Sequence, residues 1–258
     1  MKKLILFLTT IIILTACANY SLKKEVIQND GYSNSKIQWG FKKNKHSSPE
    51  IPARWKELLR RFDGYFIGDE NKKSLFLTFD EGYENGYTPA ILDALKEHGV
   101  PAAFFITGAY VEKEKDLVKR MVNEGHIVGN HTLNHPSMPE IARDEKLIFE
   151  IEELSKKFYS LTGKTMKYLR PPKGEFSERT LALSQKKGYK TILWSSAFKD
   201  WIDGQNSKEE VFKSVTEYLH NGAIILMHAV SRENAQALPE IIKYAQSQGY
   251  TFESLDDL

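Results

Sequence analysis

The 258 residues include a single cysteine, Cys17. Such a chain can close no intrachain disulfide and can build no cysteine-ligated metal site. Long apolar runs are also scarce. The clearest is Leu4 to Leu14, interrupted at Thr9 and Thr10, which is too short to span a bilayer comfortably. Behind the basic Met1-Lys2-Lys3 it reads as a secretory leader over residues 1–16. An excess of one charge is missing too. Cleavage of that leader removes Lys2 and Lys3 from the 36 Lys and Arg, leaving 34 against 34 Asp and Glu. A balance of zero gives no reason to expect a nucleic acid partner.

The leader ends in Leu14-Thr15-Ala16-Cys17, which is similar to a bacterial lipobox. Cys17 is therefore the expected lipid attachment point, and the mature protein is expected outside the cytoplasm, anchored to the cell membrane. Residues 17–54 are polar and weakly periodic and read as a tether. Within them Trp39-Gly40-Phe41 is an apolar island suited to docking on the domain. From residue 55 to 258 the composition is that of one large globular domain.

Within that domain, strand-like and helix-like stretches alternate about seven times. Expected helices cover Trp55 to Phe62, Thr88 to His98, Glu114 to Glu124, Ile141 to Leu161, Ser177 to Gly188, Ser207 to His220 and Asn234 to Gln248. Expected strands include 74–79, Ala102 to Thr107, His126 to Gly129, Met166 to Leu169, Thr191 to Ser195, Ala223 to Met227 and Tyr250 to Phe252. Alternation of this kind calls for parallel strands joined by crossover helices. In such folds functional residues gather at the C-terminal strand ends. Asp80, Glu81, His131, His135, Arg170, Asp200 and His228 all follow expected strand ends.

The residue types suit hydrolysis. Asp80 and Glu81 are adjacent carboxylates closing an apolar strand, free to take different roles. His131 and His135, four apart, share one side if they lie on a helical turn. Two imidazoles plus one carboxylate make a three-ligand site for Zn²⁺ or a similar ion. The glutamate that zinc proteases place after the first histidine is absent, because Thr132 stands there, so Asp80 is the candidate base. Arg170, stiffened by Pro171-Pro172, is placed to hold Asp80 ionised. The backbone N–H of Lys173 is a candidate oxyanion donor. His228 ends an apolar strand, and Asp200 is suited to fix its tautomer and raise its pKa for general acid work.

Thr78-Phe79-Asp80-Glu81-Gly82, His131-Thr132-Leu133-Asn134-His135, Arg170-Pro171-Pro172-Lys173-Gly174, Asp200-Trp201 and Leu226-Met227-His228 occur in that order. Together they resemble the five motifs of the polysaccharide deacetylases, the NodB-homology or carbohydrate esterase family 4 enzymes. The resemblance runs from about residue 55 to the end. It is closest to the sporulation subgroup acting on muramic acid. It implies a distorted (β/α) barrel of about seven parallel strands. It also implies Asp80 as base, His228 as acid, Glu81, His131 and His135 as ligands of a divalent metal such as Zn²⁺, and Trp201 in the substrate groove. Glu81 departs from the Asp usual at its position, and Lys173 from the usual Tyr.

The activity so implied is metal-assisted de-N-acetylation of N-acetylmuramic acid in peptidoglycan, leading to muramic δ-lactam in spore cortex. Its functional partner would be an amidase that removes stem peptides first. The competing expectations are a deacetylase of N-acetylglucosamine, chitin-like oligomers or xylan, and a non-catalytic wall-binding lipoprotein.

Overall fold

The computed structural model describes residues 31–258, which form one compact unit. The expected leader and Cys17 lie outside the described residues. In chain order the strands are β1 (Ile37–Gln38), β2 (Lys42–Asn44), β3 (Ser47–Glu50), β4 (Gly64–Tyr65), β5 (Ser74–Glu81), β6 (Ala102–Ile106), β7 (Ile127–Asn130), β8 (Tyr168–Leu169), β9 (Glu175–Phe176), β10 (Lys190–Ile192), β11 (Ser196–Ala197), β12 (Ala223–His228) and β13 (Thr251–Phe252). The helices are α1 (Ala53–Arg61), α2 (Thr88–His98), α3 (Gly108–Lys113), α4 (Lys115–Asn123), α5 (Asp144–Thr162), α6 (Glu178–Lys186), α7 (Lys208–Thr216) and α8 (Arg232–Ser247). None of these helices is long and apolar enough to cross a membrane.

Nine strands make one sheet in the order β11-β12-β5-β6-β7-β8-β10-β4, with β13 also on β5, and every pairing is parallel. The sheet curls, and an antiparallel bridge from Ile67 to Ala223 links the segment after β4 to the start of β12. This is an α/β half-barrel. It has nine strands rather than about seven because several, such as β4 and β11, are only two residues long.

β5 is the axis. All eight of its residues are buried, as expected for a strand covered on both faces. Alternation sends Phe76, Thr78 and Asp80 to one face and Leu75, Leu77, Phe79 and Glu81 to the other. Phe76 packs with Phe105, Tyr168, Ile192 and Ile224 inside the curl. Phe79 stacks on Phe104 with ring centroids 5.1 Å apart.

From Gly31 onward the stretch read as a tether belongs to the domain. β1 pairs antiparallel with β9, and β2 pairs with β3 as a hairpin. Trp39, 5% exposed, packs among Leu59, Phe62, Phe66, Phe176 and Leu193. The apolar island Trp39-Gly40-Phe41 thus docks on the domain as its sequence leads one to expect, with Trp39 as the buried anchor. The expected helices are present, with shifted ends. Lys115–Asn123 is preceded by the short α3, which starts at the N-cap Thr107. α2 ends as its Gly99 suggests, with that residue left-handed at φ 63°.

Candidate active site

The end of β5 meets the end of β12 in register, Asp80 beside His228. Around them opens a cleft of about 590 Å³, whose lining includes His131, His135, Lys173, Trp194 and Trp201. That is the size of a pocket for a small molecule or one sugar unit.

Asp80 is held by Arg170. The guanidinium is fully buried and donates from Nη1 to Asp80 Oδ1 at 2.8 Å. Its other donors reach Thr78 Oγ1 at 2.9 Å and the Ile192 carbonyl at 3.1 Å. It lies over the Phe105 ring, 4.2 Å from the centroid. Gly129 makes room for that ring, since a Cβ there would stand 2.5 Å from it. Burial works against the Asp80 charge, but Arg170, His131 and His228 outweigh it, and the carboxyl sits below its ordinary value. Thr78 opens the first motif without a role of its own there, although its place two residues before Asp80 puts it on the same strand face.

His131 and His135 do not share a helical turn. They flank a loop in which Thr132 (φ 65°) and His135 (φ 57°) are left-handed. Asn130 Oδ1 accepts the Thr132 N–H at 2.8 Å, and Thr132 Oγ1 accepts the His135 N–H at 3.1 Å. The rings still meet, with centroids 4.8 Å apart. His131 Nδ1 bonds the Arg170 carbonyl at 2.8 Å, which leaves Nε2 as an acceptor 3.5 Å from Asp80 Oδ2. Burial pushes the His131 pKa down to about 4, so the ring is neutral at ordinary pH.

Glu81 does not join them. β5 continues through Glu81, so strand alternation turns its side chain away from Asp80 and the cleft. It is 0% exposed, and neither carboxylate oxygen has a hydrogen-bond partner. Burial, with Glu84, Asp80 and Asp200 nearby, raises its pKa well above the usual range. Among the described residues no three His, Cys, Asp or Glu side chains are placed to hold a metal. The imidazole pair is present, but the expected set of Glu81, His131 and His135 is not assembled.

On the other side, Asp200 binds His228 twice. Its Oδ1 lies 2.7 Å from His228 Nδ1, and its Oδ2 accepts the His228 backbone N–H at 2.8 Å. Asn234 Nδ2 donates to the same Oδ2 at 2.6 Å. Burial lowers the His228 pKa, but the bond and charge of Asp200 and the charge of Asp80 prevail and leave it raised. Trp201, 49% exposed, meets the His228 ring edge-on at 5.6 Å. Asn234 lies in the stretch that follows His228, but its contact with Asp200 is set by the fold, which brings α8 to this loop.

Lys173 stands at φ 60°, ψ 7° on the cleft wall. That conformation costs a residue with a Cβ roughly 1–2 kcal/mol. Its N–H has no protein acceptor among the described residues. Opposite, Tyr83 is 59% exposed on the cleft rim. Its loop is pinned by Glu84, which accepts from Gly86 N–H at 2.6 Å and from Tyr110 OH at 3.4 Å.

A buried, ionised carboxylate thus faces a carboxylate-supported histidine across a cleft, a pairing suited to hydrolysis of an amide or ester. The chain belongs to the polysaccharide deacetylase family, whose match spans residues 67–192. It is a hydrolase of that family, whose deacetylases are metal-dependent. It is 42% identical over 245 residues to the peptidoglycan-N-acetylmuramic acid deacetylase PdaA of Bacillus subtilis, covering 94% of this chain and 93% of that one. The solved structure of Bacillus subtilis PdaA, a family 4 carbohydrate esterase, superposes with a TM-score of 0.85 over 88% of this chain and 97% of the other, at 42% identity. A peptidoglycan-N-acetylglucosamine deacetylase of Bacillus cereus is 34% identical over 80% of this chain and 74% of its own length.

Proposed function

We propose that this protein removes the acetyl group from N-acetylmuramic acid in peptidoglycan strands. The observation that carries the chemistry is the opposed pair at the ends of β5 and β12, Asp80 on Arg170 and His228 on Asp200. The likeness to PdaA across nearly the whole of both chains supports the choice of sugar.

The residues divide the work as follows. A water donating one hydrogen to Asp80 Oδ2 and the other to His131 Nε2 sits where those acceptors face each other at 3.5 Å. Asp80 takes a proton as that water attacks the acetamide carbon. The Lys173 N–H receives the developing oxyanion. His228 gives its proton to the departing amine, and acetate and a free muramic amine result. The expected Glu81 ligand is absent from this set, so no step runs through it.

In the further course of the reaction the freed amine attacks the lactyl carboxyl of the same sugar, the carboxyl C–OH bond breaks with loss of one water, and muramic δ-lactam results in spore cortex. That closure needs strands whose stem peptides an amidase has already removed. A lipid on Cys17 would keep the enzyme on the membrane beside the wall. The test is mass spectrometry of muramidase-digested glycan, with and without prior amidase treatment. Deacetylated muramic acid or its lactam is expected. Free glucosamine residues alone would assign the enzyme to N-acetylglucosamine instead, and unchanged glycan would refute the deacetylase reading.

A further inference from the structure

The segment ahead of the barrel holds the cleft wall from behind. The Gln38 side-chain amide donates to the Lys173 carbonyl at 2.7 Å. The Trp39 N–H donates to the Gly174 carbonyl at 2.8 Å. The Trp39 indole donates to the Trp194 carbonyl at 3.0 Å, and Lys173 and Trp194 both line the cleft. Directly after the loop, Gln38 is the β-register partner of Glu175. Gly174 is enclosed, since a Cβ on it would stand 2.9 Å from Trp194 Cη2 and 3.0 Å from Trp39 Cβ.

Lys173 needs such support. A left-handed residue bearing a Cβ persists only where its surroundings over-determine it. Within the loop itself, the Gly174 N–H bonds the Pro171 carbonyl at 3.1 Å. The remaining restraints on the Lys173 and Gly174 carbonyls come from Gln38 and Trp39, residues far back in the sequence. Trp39 is locked in the buried cluster around Phe62 and Phe176. Gln38 is exposed, so its amide contributes orientation rather than burial.

We propose that Gln38 and Trp39 are positioning residues for catalysis, fixing the Lys173–Gly174 turn so that the Lys173 N–H meets the oxyanion. This rests on the role given to that N–H above. Gln38 reaches the Lys173 N–H through the Lys173 backbone, by holding the carbonyl on the far side of its Cα, so its loss falls on kcat and leaves KM in place. A small misplacement of a catalytic donor is enough to slow the chemical step.

The test uses the whole protein with Gln38→Ala, Gln38→Glu and Lys42→Ala. Gln38→Ala should lower kcat about tenfold with little change in KM and an unaltered thermal midpoint. Gln38→Glu keeps the shape but presents no amide donor, and should match it. Lys42→Ala breaks only the exposed pair with Glu50 on the same segment and should leave kcat as it was. A Gln38→Ala enzyme with wild-type kcat overturns the proposal, and so does a loss that Lys42→Ala shares. Amide hydrogen exchange without substrate gives a second readout, independent of activity. The Gly174 N–H should exchange faster in Gln38→Ala, and unchanged exchange there overturns the proposal. If the wild type deacetylates no glycan, the function proposed above falls while the exchange result still decides the role of Gln38.

Discussion

Replacing Arg170 with methionine should both move the pH profile and weaken the fold, by an amount that depends on pH. The guanidinium is fully buried, donates to Asp80 at 2.8 Å and also satisfies Thr78 and the Ile192 carbonyl. Methionine fills much of the space and supplies none of these donors. Breaking one side of a buried ion pair typically costs about 3–5 kcal/mol, which a domain with roughly 5–15 kcal/mol of stability can survive. In the wild type the Asp80 pKa is depressed. Its stabilising contribution is therefore present above the unfolded value of about 3.9 and is lost as pH falls through the lower folded value. Without Arg170, burial dominates and the folded pKa rises above the unfolded one. Stability then falls as pH climbs from about 3.9 through the new value. The stability gap between variant and wild type should be widest near neutrality and narrow in acid. The acid limb of kcat/KM should move up by about 1–3 pH units, the usual effect of an adjacent arginine on an aspartate. Urea unfolding across that pH range and a pH–rate series measure both. An Asp80→Asn/Arg170→Met double variant should lose less stability than the two single losses added together. A destabilisation independent of pH, or an acid limb that stays in place, would refute the reasoning.

Three more outcomes are expected. Asp200→Asn removes the charge that raises His228, so the alkaline limb of the pH profile should shift to lower pH; an unmoved limb would show that another group carries that proton. Glu81→Ala should leave deacetylation with added Zn²⁺ within about threefold of the wild type, because strand alternation turns that carboxyl away from the cleft; a large loss would return Glu81 to the metal. Cys17→Ser in the secreted precursor should release the protein from membranes in fractionation, and a variant that stays bound would rule out lipid on Cys17 as its anchor.

Much of the barrel was legible because its helices and strands declare themselves locally. The all-buried run from Ser74 to Glu81 and the Pro89 and Gly99 signals of α2 depend on neighbours in sequence. So does the ordering of chemistry-bearing residues at strand ends. Alternation along a strand likewise determines that Thr78 and Asp80 share a face. What sequence spacing could not decide was where β5 stops. The strand runs two residues past Phe79, and alternation then turns Glu81 away from the cleft, so the expected ligand set is not assembled. Contacts between distant segments were likewise decided only by the tertiary structure. Asn234 reaches Asp200, His131 and His135 meet through a loop of left-handed residues, and Gln38 and Trp39 close on Lys173 and Gly174. Local propensity acts over a few residues. These pairings exist only because the curled sheet brings chain segments many tens of residues apart within hydrogen-bond distance.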